Sequence, residues 1–112
     1  MNVEKWKHRR LSPEEKILTE SQLQQYHEDG YVIPDYRLPD DTLSAIRADN
    51  DRLIARYPEF RDYCPSVLAY ELSFLNYARI PDILNMVEQV LGPDFALWNS
   101  SFFAKPALNG RE

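Results

Sequence analysis

The chain has 112 residues, enough for one small domain or for part of a larger one. A hydrophobic content of 44% and an aromatic content of 12% argue against a disordered tail, because such a chain can bury a core. The net charge of −5 argues against nucleic acid as the main partner, since phosphate binding requires a basic face.

Residues 1–18 are predicted to form a polar, basic leader. Residues 6–10 are the most basic part of it and are either a solvated terminus or a contact for phosphate or an acidic surface. No apolar run reaches the ~20 residues that cross a bilayer, and no secretory signal is present. The single cysteine, Cys64, excludes an intrachain disulfide and is expected to pack as a small apolar residue. These features favour a cytoplasmic protein without membrane contact.

Capping signals predict a short helix over residues 20–28. Thr19 matches an N-cap with a glutamine three residues later, and Gly30 ends the helix. Residues 31–33 then read as a short strand that Pro34 stops.

A longer helix is predicted from Asp40 to Tyr57, with acids in its first turn. Asp49 and Asn50 interrupt its apolar stripe, and its acids are interpreted as a solvated surface. Residues 59–77 show no regular pattern. A third helix begins at Pro81 and ends at the Gly-Pro pair that follows Leu91. The apolar faces of the three helices predict core positions at Leu23, Ile46, Ile54, Leu84 and Val87.

Residues 95–105 alternate in a way that predicts one long strand. Asn99, Ser101 and Lys105 share one face with apolar side chains. Such a face either orients a small polar ligand in a pocket or is an ordinary, partly solvated sheet surface. The two histidines, His8 and His27, lack the spacing of metal ligands and are expected to be structural or surface residues.

Three motifs occur in order along residues 17–112. They are Asp29-Gly30-Tyr31 after the first helix, Leu91-Gly92-Pro93-Asp94 after the third, and Lys105-Pro106 with Asn109-Gly110 after the strand. Together they resemble the N-terminal part of the phytanoyl-CoA dioxygenase family. The resemblance implies an α+β fragment, in which a helical N-terminal region packs on the opening strand or strands of a double-stranded β-helix, a jelly-roll or cupin-like fold. Residues 19–112 would form this truncated portion.

The resemblance also implies a non-haem Fe(II)- and 2-oxoglutarate-dependent dioxygenase that hydroxylates a small-molecule substrate. Relatives hold the metal with a His-x-Asp pair and a distant His, and none of these is present here. The chain alone is therefore expected to be inactive and to bind neither iron nor cosubstrate. In relatives the residue four before the lysine can contact 2-oxoglutarate. That position is Ser101, Asn99 is the next candidate, and Lys105 belongs to the motif.

Two other interpretations stay open. In the first, the chain is a non-catalytic helical interaction domain that contains similar motifs by chance. In the second, it is a degenerate short relative that is retained as a binding module. The family name does not define a substrate, because substrate contacts lie in variable loops.

Overall fold

A computed structural model describes residues 15–105, which combine helices with a small two-stranded antiparallel sheet in an α+β arrangement. The helices are α1 (Glu20–Asp29), α2 (Asp40–Arg56), α3 (Leu75–Ala78) and α4 (Pro81–Leu91), and the strands are β1 (Tyr63–Cys64) and β2 (Phe102–Phe103). No helix in this part of the chain is long and apolar enough to cross a membrane. The described residues fall into two compact units, residues 15–37 with 79–96 and residues 38–78 with 97–105. The basic stretch 6–10, His8 and the loop after Lys105 lie outside the described residues.

The first unit contains α1 and α4, and both follow the predicted capping signals. Thr19 and Gln22 form the complete capping box at the start of α1. Gly30 ends α1 at a φ of 83°, and Gly92 ends α4 at a φ of 84°. This positive φ favours glycine, because a Cβ atom is strained there. Pro81 occupies the first turn of α4, as predicted.

The predicted strand at residues 31–33 is wrong. These residues have no strand partner within the described chain, and Ile33 is 79% exposed. Residues that favour β-structure do not form a strand by themselves, because their backbone N–H and C=O groups must also pair with a neighbouring strand. The loop is tied to the first unit instead by Tyr36, whose hydroxyl donates to Asp82 Oδ2 at 2.9 Å.

The second unit begins with α2, whose predicted range is confirmed to within one residue. The Tyr57 N–H donates to the Leu53 carbonyl at 2.8 Å and closes the helix before Pro58. The residues of α2 that are buried are Leu53, at 2% exposure, and Asp49, at 8%.

The core of the second unit lies in the stretch that showed no regular pattern. Residues 58–74 contain three 3-10 turns, Pro58–Phe60, Val67–Ala69 and Leu72–Phe74. The buried cluster consists of Leu53, Cys64, Val67 and Phe74, with half-buried rings packed around it. Cys64 is fully buried, which confirms its expected packing role. The core positions expected from the helices, Leu23, Ile46, Ile54, Leu84 and Val87, are each only half-buried.

The predicted strand over residues 95–105 is wrong, since only Phe102–Phe103 is a strand. It pairs antiparallel with β1, Tyr63 opposite Phe103 and Cys64 opposite Phe102. The regular ladder stops at Ser66, which adopts a left-handed conformation at a φ of 53°, and the Ser100 carbonyl accepts from the Val67 N–H instead. The alternation of polar and apolar residues therefore predicted a strand that is longer than the observed one.

Candidate functional site

The predicted cosubstrate residues lie on the segment that contains β2. Asn99, Ser101 and Lys105 are all exposed. The Asn99 side-chain oxygen accepts a 2.8 Å hydrogen bond from the Ser100 N–H. This bond leaves the Asn99 NH₂ group as a donor.

Backbone hydrogen bonds hold this segment on both sides of Ser101. The Val67 N–H donates to the Ser100 carbonyl at 2.9 Å, and the Ala104 N–H donates to the Asp62 carbonyl at 2.9 Å. Because the backbone is tied at both ends, the direction in which Ser101 projects is set by the pairing of β2 with β1.

The three side chains are donors of the kind that binds a carboxylate. Asn99 supplies an amide, Ser101 a hydroxyl and Lys105 an ammonium group. Within residues 15–105 no hydrogen bond joins any of the three to another, and they are not gathered around a buried pocket. Their assignment as contacts of 2-oxoglutarate stays a prediction.

The second unit also contains a polar network that the sequence pattern did not indicate. We call it the Asp49 network, formed by Asp49, Arg52, Glu71, Ser73 and Tyr77. The Tyr77 hydroxyl donates to Asp49 Oδ2, and Arg52 Nη2 donates to Asp49 Oδ1 at 2.5 Å. These two bonds satisfy both carboxylate oxygens of a side chain that is only 12% exposed.

The outer part of the network bridges α2 to the turn before α3. Arg52 Nη2 lies 3.9 Å from Glu71 Oε1, and the Ser73 hydroxyl donates to the same Glu71 oxygen at 2.9 Å. Since the Arg52 side chain is 59% exposed, solvent screens both of its ion pairs. The hydrogen bond from Tyr77 to Asp49 lies in the less exposed part of the network, and it joins two residues that are 28 positions apart in the sequence.

Electrostatics keep the inner pair in fixed protonation states. The Tyr77 hydrogen bond lowers the pKa of Asp49 below its ordinary value of 3.8, against burial, and Arg52 adds to the lowering. The same bond to Asp49 raises the pKa of Tyr77 above 10.0, and burial raises it further.

These shifts define what the pair can do. At neutral pH Asp49 is ionised and Tyr77 is protonated, and both pKa values move away from neutrality. General acid–base catalysis needs a pKa near the working pH. The contacts of the pair are those of two groups that hold two segments together.

The expectation that the acids of α2 are solvated is wrong for Asp49 and correct for Asp40, Asp41 and Asp51. Asp49 breaks the apolar stripe on the side that faces the core. An acid at a buried helical position requires partners, and Arg52, three residues later, was a visible one. Tyr77 could not be identified because it lies 28 residues away.

A second polar arrangement lies in the first unit, where α4 holds the segment before α1. We call Asn85 and Gln89 the amide clamp. Gln89 accepts from the Leu18 N–H at 2.8 Å and donates to the Leu18 carbonyl at 2.8 Å. Asn85 accepts from the Ile17 N–H at 3.1 Å and donates to the Glu15 carbonyl. All four bonds go to backbone atoms, and Leu18 is 5% exposed.

No group of three or more His, Cys, Asp or Glu side chains within residues 15–105 is arranged to hold a metal ion. His27 is exposed on α1, with its ring 5.6 Å from the Tyr26 ring. The described residues thus do not fit an iron centre.

No protein-family model, no curated protein and no solved structure matches this chain.

Proposed function

We propose that this chain is the N-terminal part of a non-haem Fe(II)- and 2-oxoglutarate-dependent dioxygenase resembling the phytanoyl-CoA dioxygenase family. Its substrate would be a small molecule, hydroxylated at an aliphatic carbon. The finer fold, the opening of a double-stranded β-helix, belongs to the same proposal. The observation that carries it is the order of three motifs along one chain.

Each motif coincides with the end of an element, which supports the proposal. Gly30 of the first motif ends α1, and Gly92 of the second ends α4. Lys105 of the third follows β2 by two residues. Motifs at the ends of helices and strands reflect where the chain turns. Three such motifs in the same order as in the family therefore support the proposal more strongly than three short matches at arbitrary positions would.

Iron and 2-oxoglutarate would supply the activation of O₂ in the complete enzyme. The described residues do not form the metal site, so the iron ligands would come from other residues of the full-length protein. Under this proposal the present residues have two tasks. The core of the second unit supports the segment around β2, and Asn99, Ser101 and Lys105 offer donors to a carboxylate of the cosubstrate.

The direct test is to follow 2-oxoglutarate decarboxylation by the full-length protein with Fe(II) and O₂. We expect succinate to form, and its formation to stop when a chelator removes the iron. Reading the coding sequence after the codon for Glu112 adds a second test. A His-x-Asp motif shortly after it supports the proposal, whereas a stop codon there, or no succinate from folded protein, refutes it.

Exposed apolar side chains of the second unit favour one alternative, an interaction domain. Trp98 is 97% exposed, Phe103 is 80% exposed and Leu72 is 68% exposed. Apolar surface of this kind commonly marks protein interfaces. If copies associate through it, Trp98 fluorescence measured in a Trp6→Phe background shifts to the blue as concentration rises. An unchanged spectrum refutes association of copies through this surface.

A further inference from the structure

A continuous series of side-chain contacts leads from the Asp49 network to β2. Asp49 accepts from the Tyr77 hydroxyl, and the Tyr77 ring contacts the Phe74 ring edge-on at a centroid distance of 5.8 Å. The Phe74 ring in turn contacts the Phe102 ring edge-on at 4.8 Å. Edge-to-face pairs at these distances are favourable beyond the area that they bury. The hydrogen bond on α2 is thereby linked to a strand that it does not touch.

This series reinforces β2, because few backbone bonds hold the strand. Within residues 15–105 two residues of β2 pair with β1 and one backbone bond flanks them on each side, and an isolated two-stranded ladder is marginal in water. Phe103 on the outer face is 80% exposed and contacts Tyr63, which is 46% exposed. Phe102 is the side chain of β2 that packs against the buried cluster, where it contacts Phe74.

The candidate cosubstrate residues are adjacent to this anchor. Ser101 directly precedes Phe102, and Lys105 follows Phe103 by two residues. A rotation or loosening of β2 therefore changes the directions of both side chains. Misplacement of a substrate-binding group by a distance of about 1 Å can weaken a reaction strongly.

We propose that Asp49 and Tyr77 are positioning residues that orient Ser101 and Lys105 through Phe74 and Phe102. This inference rests on the proposed function, since it assigns the two residues to the binding of a 2-oxoglutarate carboxylate. Neither Asp49 nor Tyr77 touches the cosubstrate. They hold the strand from which the donors project.

The first measurement is amide hydrogen exchange of β2 in the full-length protein. Tyr77→Phe removes one oxygen and keeps the ring, and Asp49→Asn keeps the side-chain shape and removes the charge. We expect residues 102–104 to exchange about tenfold faster in both variants. The matched control is Tyr70→Phe, because the contacts of Tyr70 are ring contacts with Tyr57 and Phe60. Its β2 exchange should equal that of the wild type.

The second measurement is the kinetics of the same variants. A positioning role predicts a KM for 2-oxoglutarate raised several-fold, with kcat and the KM for the prime substrate little changed. A purely structural role lowers the fraction of active protein instead, which lowers apparent kcat and leaves the KM unchanged. Asp51→Asn, on the exposed side of α2, should leave both parameters at the wild-type values.

The outcomes separate this inference from the proposed function. Unchanged β2 exchange in Tyr77→Phe overturns the inference, whatever the activity. Faster exchange with an unchanged KM for 2-oxoglutarate also overturns it, while the dioxygenase proposal stands. If the wild type does not turn over 2-oxoglutarate, the proposed function fails and the assignment to cosubstrate binding fails with it. Faster exchange together with a raised KM supports both.

Discussion

Replacing Gln89 by Leu should destabilise the first unit more than the loss of one surface amide would suggest. Gln89 makes two 2.8 Å hydrogen bonds to the backbone of Leu18, one as acceptor and one as donor. Leu is similar in volume and suits a helix, so the substitution changes hydrogen bonding and little else. The N–H and carbonyl of Leu18 lose their partners at a residue that is 5% exposed.

The expected loss follows from these contacts. A net hydrogen bond contributes about 1 kcal/mol, and a buried group left without a partner costs about 1–3 kcal/mol. Two bonds to a nearly buried residue therefore predict a loss of about 2–4 kcal/mol in the free energy of unfolding.

Urea unfolding followed by circular dichroism measures these differences, and exchange of the Leu18 amide assigns them to the clamp. The matched control is Gln25→Leu on the exposed side of α1. We expect an unchanged urea dependence with a lower midpoint for Gln89→Leu, and little change for Gln25→Leu. Equal midpoints for the two variants, or an unchanged exchange rate at Leu18, would show that the amide clamp does not stabilise the unit.

Three further outcomes are expected. Asp49→Asn should be less stable than wild type by about 2 kcal/mol above pH 5. Because folding lowers the pKa of Asp49, this difference should shrink as the pH falls below the ordinary value of 3.8, and a pH-independent difference in urea unfolding would contradict the network. Ser101→Phe should raise the KM for 2-oxoglutarate by steric occlusion and preserve the fold, and an unchanged KM would make Ser101 an ordinary surface residue. Cys64, fully buried with a raised thiol pKa, should react with iodoacetamide only in denaturant, and rapid alkylation of native protein would contradict that burial.

The helices α1, α2 and α4 could be predicted from the sequence because their signals are local, whereas α3 lies in the stretch that showed no pattern. The capping box at Thr19, the proline at position 81 and the glycines at 30 and 92 each act within one turn of the chain. The range of α2 followed from the distance between its acidic first turn and Pro58. A helix closes its hydrogen bonds within its own segment, so short sequence windows contain most of the information.

The sheet could not be predicted in the same way, because a ladder depends on residues far apart in sequence. Residues 95–105 alternate over their whole length, yet pairing requires a partner strand with free N–H groups. That partner ends where Ser66 adopts a left-handed conformation and breaks the register. Residues 31–33 illustrate the same limit, since β-favouring residues without a partner remain a loop.

Residues 59–77, which showed no regular pattern in the sequence, contribute Glu71, Ser73 and Tyr77 to the Asp49 network. From the sequence of α2 alone, an acid within an apolar stripe interrupts the pattern, and the simplest interpretation is that its side chain is solvated. Burial becomes favourable only when both carboxylate oxygens are satisfied, which Arg52 and Tyr77 achieve together. Tyr77 comes from the same irregular stretch that supplies Val67 and Phe74 to the core. Periodic rules fail along this stretch because its side chains serve two purposes, packing and hydrogen bonding. Deviations from the pattern in α2 and in residues 59–77 are therefore where a functional arrangement should first be sought.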